Sequence, residues 1–232
     1  GDGSLDYDTA VGLLRQFRPY WGDQPFVAAP VYLGVVVVFF AFLGLVVTSR
    51  NTRLVLLSII TVSLLFSWGN NISELTQFFI DYLPLYSKFR AVSSAQIMIM
   101  LCVPYAAMLG VQHLTEGKSM SRKKLVKTYS VVVVFIMIIL FLIGGAKGFF
   151  SFTSTTESLS KLPNVLLEPL HASRKLFIWK DVWHIIIYLA LIVLTLIALW
   201  RRLISGFAFA VFIGLIGLAD LWQYNRLFFN TE

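Results

Sequence analysis

The chain has 232 residues, of which 58% are hydrophobic, 15% aromatic and only 13% charged, and it carries a formal net charge of +7. That composition lies far outside the soluble range. The single cysteine, Cys102, excludes a disulfide scaffold. The basic excess is not interleaved with aromatics on a polar surface, so it gives no sign of nucleic-acid binding.

In chain order, residues 1–25 read as an extracytoplasmic segment. It ends in Arg18-Pro-Tyr-Trp-Gly-Asp-Gln-Pro-Phe26. Tyr20 and Trp21 are natural headgroup-level anchors, and Gly22-Asp23 permits a tight turn. Asp23 is also a candidate outer-face acid. Six apolar runs come next, at Phe26–Val47, Leu54–Trp68, Ala91–Leu114, Leu125–Phe150, Val182–Trp200 and Leu203–Leu221. Each is close to the ~20 residues that an α-helix needs to cross a bilayer core. Backbone groups in hydrocarbon must pair internally, which makes helices the expected spanning elements. Val131–Ile143 is too uniformly apolar for a soluble amphipathic helix. The polar–apolar alternation of a membrane barrel is missing. The expected fold is therefore all-α: a polytopic bundle of about six spanning helices over 26–222, with short interfacial helices on its outer face.

Loop charge sets the expected orientation. Arg50 and Arg53, then Lys118, Arg122, Lys123, Lys124 and Lys127, then Arg201 and Arg202 crowd three short loops. Such loops stay in the cytoplasm. That places both termini, 1–25 and 223–232, on the outside together with the 69–90 and 147–181 loops. The positive charge then reads as topology and as affinity for anionic headgroups.

The outer loops carry the candidate chemistry. In Trp68–Pro84, Asn71 and Glu74 have capping-box spacing. Ile72, Leu75, Phe79 and Tyr82 recur at helical steps, which predicts a flat-lying helix over about 72–83. Lys88 and Arg90 come just before the third run, where they can snorkel to lipid phosphates or bind a lipid-linked phosphate. The segment 165–181 predicts a second amphipathic helix leading into the fifth run and bearing Arg174, Lys175 and Lys180. Asp181 and His184 sit one turn apart. A helix-end hydrogen bond or salt bridge is the simpler reading, because a metal would need further ligands. Lys147, near the outer end of the fourth run, can snorkel. Asp220, near the end of the sixth, either marks the interface or is functional, since a charge within a span is costly. Cys102 reads as a small packing residue. No haem, zinc or phosphate-loop motif identifies a cofactor, and a divalent metal has no support in these residues.

Several segments in order carry a family resemblance: Gly3-Ser-Leu-Asp6, Tyr20-Trp-Gly-Asp-Gln-Pro-Phe26, Ser67-Trp-Gly-Asn70, Leu85-Tyr-Ser-Lys-Phe-Arg90 with Ser93-Ser94, and Leu218-Ala-Asp-Leu-Trp222 with Asn225-Arg226. Together they resemble the bacterial YfhO family of polytopic membrane proteins, especially its Bacteroidetes-like members. Ala91-Val-Ser-Ser94 departs from the proline-containing stretch that relatives often show. The resemblance implies a GT-C-like glycosyltransferase of the bacterial inner membrane. It would take a sugar from a polyprenyl-phosphate carrier on the outer side and pass it to a cell-envelope acceptor. The match is to the C-terminal membrane module, whereas the family's catalytic acids lie in the first outer loop of the N-terminal module. The expected partners are membrane lipids, the lipid-linked sugar and the remainder of a longer chain, and this stretch alone is expected to be inactive. Lys88, Arg90, Arg174 and Lys175 are the candidate donor-phosphate or headgroup residues, and Asp23, Asp181 and Asp220 the candidate outer-face acids. A transporter or flippase module and a non-catalytic scaffold are the alternatives. A transporter would show polar or Gly/Pro-broken helices at mid-membrane, and here Pro104 and Gly144-Gly145 are the candidate breaks.

Overall fold

A computed structural model of the chain describes residues 32–67, 73–83, 86–88, 92–116 and 164–226, with individual positions between 126 and 141. The regular elements among these residues are all helical: α1 (Val35–Val47), α2 (Arg50–Ser67), α3 (Ser73–Tyr82), two 3-10 turns (Tyr86–Lys88 and Val92–Gln96), α4 (Ile97–Thr115), α5 (Asn164–Trp200) and α6 (Gly206–Asn225). Described positions in the fourth apolar run are helical too. Among the described residues, four segments are long and apolar enough to cross a membrane: Arg50–Ser67, Ser94–Thr115, Trp179–Trp200 and Gly206–Asn225. Large apolar side chains cover their outward faces. Leu101, Met108, Leu194, Phe207 and Leu215 are each more than half exposed. A bundle that turns such residues outward is solvated by lipid, because in water this surface would associate.

The first predicted run departs from expectation. It does not form one helix from Phe26, since residues 32–34 are non-helical and α1 begins at Val35. Gly34 sets the break, with φ 86°, a conformation that L side chains rarely adopt. At 13 residues, α1 is about 20 Å long, short of the ~30 Å hydrocarbon core. It is nevertheless the centre of the bundle. Val36, Phe39, Phe40 and Leu43 are almost wholly buried. Phe40 meets Phe209 of α6 edge to face, with centroids 6.1 Å apart.

The contact between α1 and α4 is close because glycines face each other across it. A Cβ on Gly44 would land on the carbonyl oxygen of Ala106, and one on Gly110 would land on that of Phe40. Lipid offers no hydrophobic drive for helix association, so small residues that let backbones approach supply the packing.

The fifth run and the amphipathic segment before it are one 37-residue helix, α5. The stretch contains no glycine and, past Pro169, no proline, so beyond that residue nothing interrupts the backbone ladder. At about 55 Å, α5 exceeds a bilayer core, so part of it stands outside one. The 72–83 segment is helical as expected, over Ser73–Tyr82. Phe66, Phe79 and Tyr86 form a three-ring cluster, with centroids 4.9–5.8 Å apart, that ties α3 to the end of α2. Asn71, the first member of the capping box, lies outside the described residues.

At the basic end, two arginines have structural duties. Arg53 donates from its guanidinium to the carbonyls of Leu45, Val46 and Thr48, so it closes the C-terminus of α1 as well as carrying loop charge. Ser49 caps α2 through the Thr52 N–H at 3.2 Å. After α5, Leu203 N–H bonds to Ala198 O and Arg202 N–H to Leu199 O, at 2.9 and 3.0 Å. This is a Schellman closure with Arg202 in the left-handed position, at φ 57°. Ser205 then caps α6 through Ala208 N–H at 3.1 Å.

Candidate functional site

Asp220 is the polar centre of the described bundle. It lies about 21 Å along α6 from Gly206, and its side chain is fully buried. Leu218 and Trp222 of the same segment are 65% and 72% exposed, so helical periodicity turns the acid inward and its apolar neighbours outward.

Both carboxylate oxygens are engaged. Oδ1 accepts from Tyr32 Oη at 2.7 Å and from His184 Nε2 at 2.7 Å. Oδ2 accepts from the backbone N–H of Val36 at 3.2 Å. Tyr32 Oη and His184 Nε2 are themselves 3.2 Å apart. Facing a carboxylate, which can only accept, His184 Nε2 takes the donor role in this contact. Its side chain keeps 13% exposure.

The Val36 bond explains why the acid is there. α1 starts inside the bundle, where the first N–H groups of a helix have no backbone acceptor and carry the positive end of its dipole. Gly34, the residue at the cap position, has no side chain to offer. A carboxylate from α6 supplies the missing acceptor and the complementary charge. Space around Gly34 is also tight, since a Cβ there would lie 3.1 Å from Asp220 Oδ2 and 3.3 Å from Leu221 Cδ2.

Aromatic rings surround the cluster. Tyr224, one turn beyond Asp220, stacks on Tyr32 at 3.8 Å with planes 16° apart. Tyr188, one turn beyond His184, sits 4.6 Å from its ring and donates to Gln223 Oε1 at 3.0 Å. Tyr32, just ahead of α1, is thereby tied to α5 and α6. No group of three or more His, Cys, Asp or Glu side chains converges among the described residues. The cluster is built to hold a helix end in place.

The other sequence candidates fall elsewhere. Asp181 lies on α5, half-buried, and the His184 Nε2 beside it in sequence is directed to Asp220. Arg174 is completely buried, so its guanidinium faces protein instead of lipid headgroups. Lys175 is on α5, with its side chain outside the described set, as are Asp23 and Arg90 altogether. Lys88 is exposed at the end of the Tyr86–Lys88 turn. That turn borders a groove of about 620 Å³ lined by Ser63, Phe66, Leu83, Tyr86, Ala95 and Met98, among others. The walls are almost entirely apolar, with Ser63 buried among them. None of the described lining comes from the 164–181 segment.

Tyr32, Gly34, His184 and Tyr188 were not assigned to Asp220 from the sequence. The available signal was a pair of one-turn repeats, His184/Tyr188 and Asp220/Tyr224, on two otherwise apolar helices. Comparison with models of known families, with curated proteins and with solved structures finds no match.

Proposed function

We propose that this chain is a membrane module of the YfhO type, serving a lipid-linked-sugar-dependent glycosyltransferase of the cell envelope by holding the polyprenyl-phosphate donor. The observation that carries this reading is the apolar groove lined in part by Tyr86, the first residue of the turn that ends in Lys88. A polyprenyl phosphate needs apolar walls for its isoprenoid and a cation for its phosphate at the mouth. The groove between α2, the start of α4 and Tyr86 has such walls, and Lys88 stands two residues past Tyr86. Asp220 argues against catalysis by these residues, since both its oxygens are committed to holding α1. The sequence resemblance supplies the sugar-transfer chemistry and assigns the reacting acids to another module.

A test is transfer from a polyprenyl-phosphate sugar by the reconstituted full-length enzyme. Ser63→Trp fills the groove and should abolish donor use. Lys88→Ala removes one charged contact, which at about 1.5–3 kcal/mol predicts a fall of roughly 10- to 100-fold. Unchanged rates with both variants would remove the groove from the reaction.

A transporter reading has one observation in its favour. α1 begins within the bundle with its N-terminus facing a carboxylate, and carriers bind anionic substrates at such half-helix ends. Substrate-dependent uptake by vesicles holding the protein would favour it over sugar transfer.

A further inference from the structure

The second large groove lies at the opposite, basic end of the bundle from the one proposed for the donor. It measures about 500 Å³, within the range of small-molecule and lipid sites. Phe39 of α1, Leu114 near the end of α4, Val126, Tyr129 and Val133 of the fourth run, and Trp200 at the end of α5 are among its walls. Those helix ends fix its position. Leu114 and Trp200 are each within a residue of their helix termini, so the groove opens at one boundary of the apolar belt.

A further feature points to the occupant. Arg201 and Arg202 come directly after Trp200 and are exposed. Neither guanidinium takes part in a hydrogen bond or ion pair among the described residues. Arg202 holds a left-handed backbone position that glycine would fill at lower cost. On the groove wall, the ring of Tyr129 stacks parallel to Phe39.

We propose that this groove binds an anionic phospholipid, with one acyl chain between Phe39, Val133 and Trp200 and the phosphate at Arg201 and Arg202. An apolar slot that ends at Trp200, followed in the chain by two exposed arginines, matches the apolar tail and the charged head of that molecule. A zwitterionic lipid offers the same chain but no net charge for the arginines, and basic pockets between spanning helices are known anionic-lipid sites.

The test uses the purified full chain in detergent, titrated with phosphatidylglycerol, with phosphatidylcholine of the same acyl chains and with polyprenyl phosphate, and read by native mass spectrometry and thermal unfolding. Phosphatidylglycerol should be retained at one copy and should raise the unfolding midpoint well above any effect of phosphatidylcholine. Arg201→Gln combined with Arg202→Gly, which keeps the turn in its preferred conformation, should weaken phosphatidylglycerol about thirtyfold, from about 1 kcal/mol for each cation near an anionic surface. Val133→Trp, which blocks the chain slot without touching charge, should also release the lipid. Equal binding of the two phospholipids would overturn the proposal, as would phosphatidylglycerol binding that survives both variants. Preferential retention of polyprenyl phosphate, lost with the same substitutions, would make the groove a carrier site and refute it as well. The first two outcomes leave the groove bordered by Tyr86 untouched, whereas the third would also count against that groove as the donor site.

Discussion

Replacing Asp220 with alanine tests the central structural claim, that a carboxylate on α6 holds the start of α1. The substitution removes three hydrogen bonds, to Tyr32, His184 and the Val36 N–H. Hydrogen bonds between membrane helices average about 0.6 kcal/mol and reach about 1.7, which sets a floor of about 2 kcal/mol for three. The losses are unequal. Tyr32 Oη and His184 Nε2 lie 3.2 Å apart and can satisfy each other once the acid is gone. The Val36 N–H has no such substitute and becomes an orphan donor at a buried helix end, at a cost of about 1–3 kcal/mol. Asp220→Ala should therefore destabilise the bundle by about 2–4 kcal/mol. Asp220→Asn keeps one acceptor oxygen and the shape, and should cost about half as much. Reversible unfolding in bicelles, tracked by tryptophan fluorescence and circular dichroism, measures both. A double-mutant cycle with Tyr32→Phe should show coupling of at least about 0.5 kcal/mol, because the two residues share a bond. An Asp220→Ala variant within about 0.5 kcal/mol of the parent would refute the argument, since the acid would then be neither cap nor clamp.

Gly34→Ala should destabilise by about 1–3 kcal/mol from its positive-φ backbone, a conformation sparsely populated by residues with a Cβ, measurable by the same unfolding assay. Gly44→Ala should prevent the close contact of α1 with α4 and lower folded yield on gel filtration, whereas Gly214→Ala, with open space around it, should leave yield unchanged. Arg202→Gly should stabilise the protein by about 1 kcal/mol, seen as a higher unfolding midpoint in detergent free of anionic lipid. Arg53→Ala should destabilise by about 1–2 kcal/mol by uncapping α1, a loss that Arg53→Lys recovers only in part because an ammonium lacks the planar fork that reaches three carbonyls.

Much of the bundle was legible as hydropathy. α2, α4 and α6 coincide within a few residues with apolar runs, because a long run without charge has only one way to satisfy its backbone in lipid. α3 was readable from its three- and four-residue repeat. The break before α1 was not, because Val31-Tyr-Leu-Gly-Val35 is nearly as apolar as the helix itself and a single glycine does not reveal its φ. The continuity of α5 was also missed. Its change from mixed to apolar composition suggested two elements, but composition marks where a helix leaves the apolar belt and does not by itself end the helix.

The sequence by itself determined that this is a helical membrane protein and where most of its helices run, since both result from local composition and the helical period. Only the tertiary structure decided what the polar residues do. Asp220 looked like an interface marker and His184 like the neighbour of Asp181, because sequence order carries i, i+3 and i+4 proximity and nothing about which helix packs beside which. Folding brings positions 32, 36, 184 and 220 together around a helix end that has no acceptor of its own. The need of that buried N-terminus for a negative partner is a property of the packed bundle, absent from any one helix.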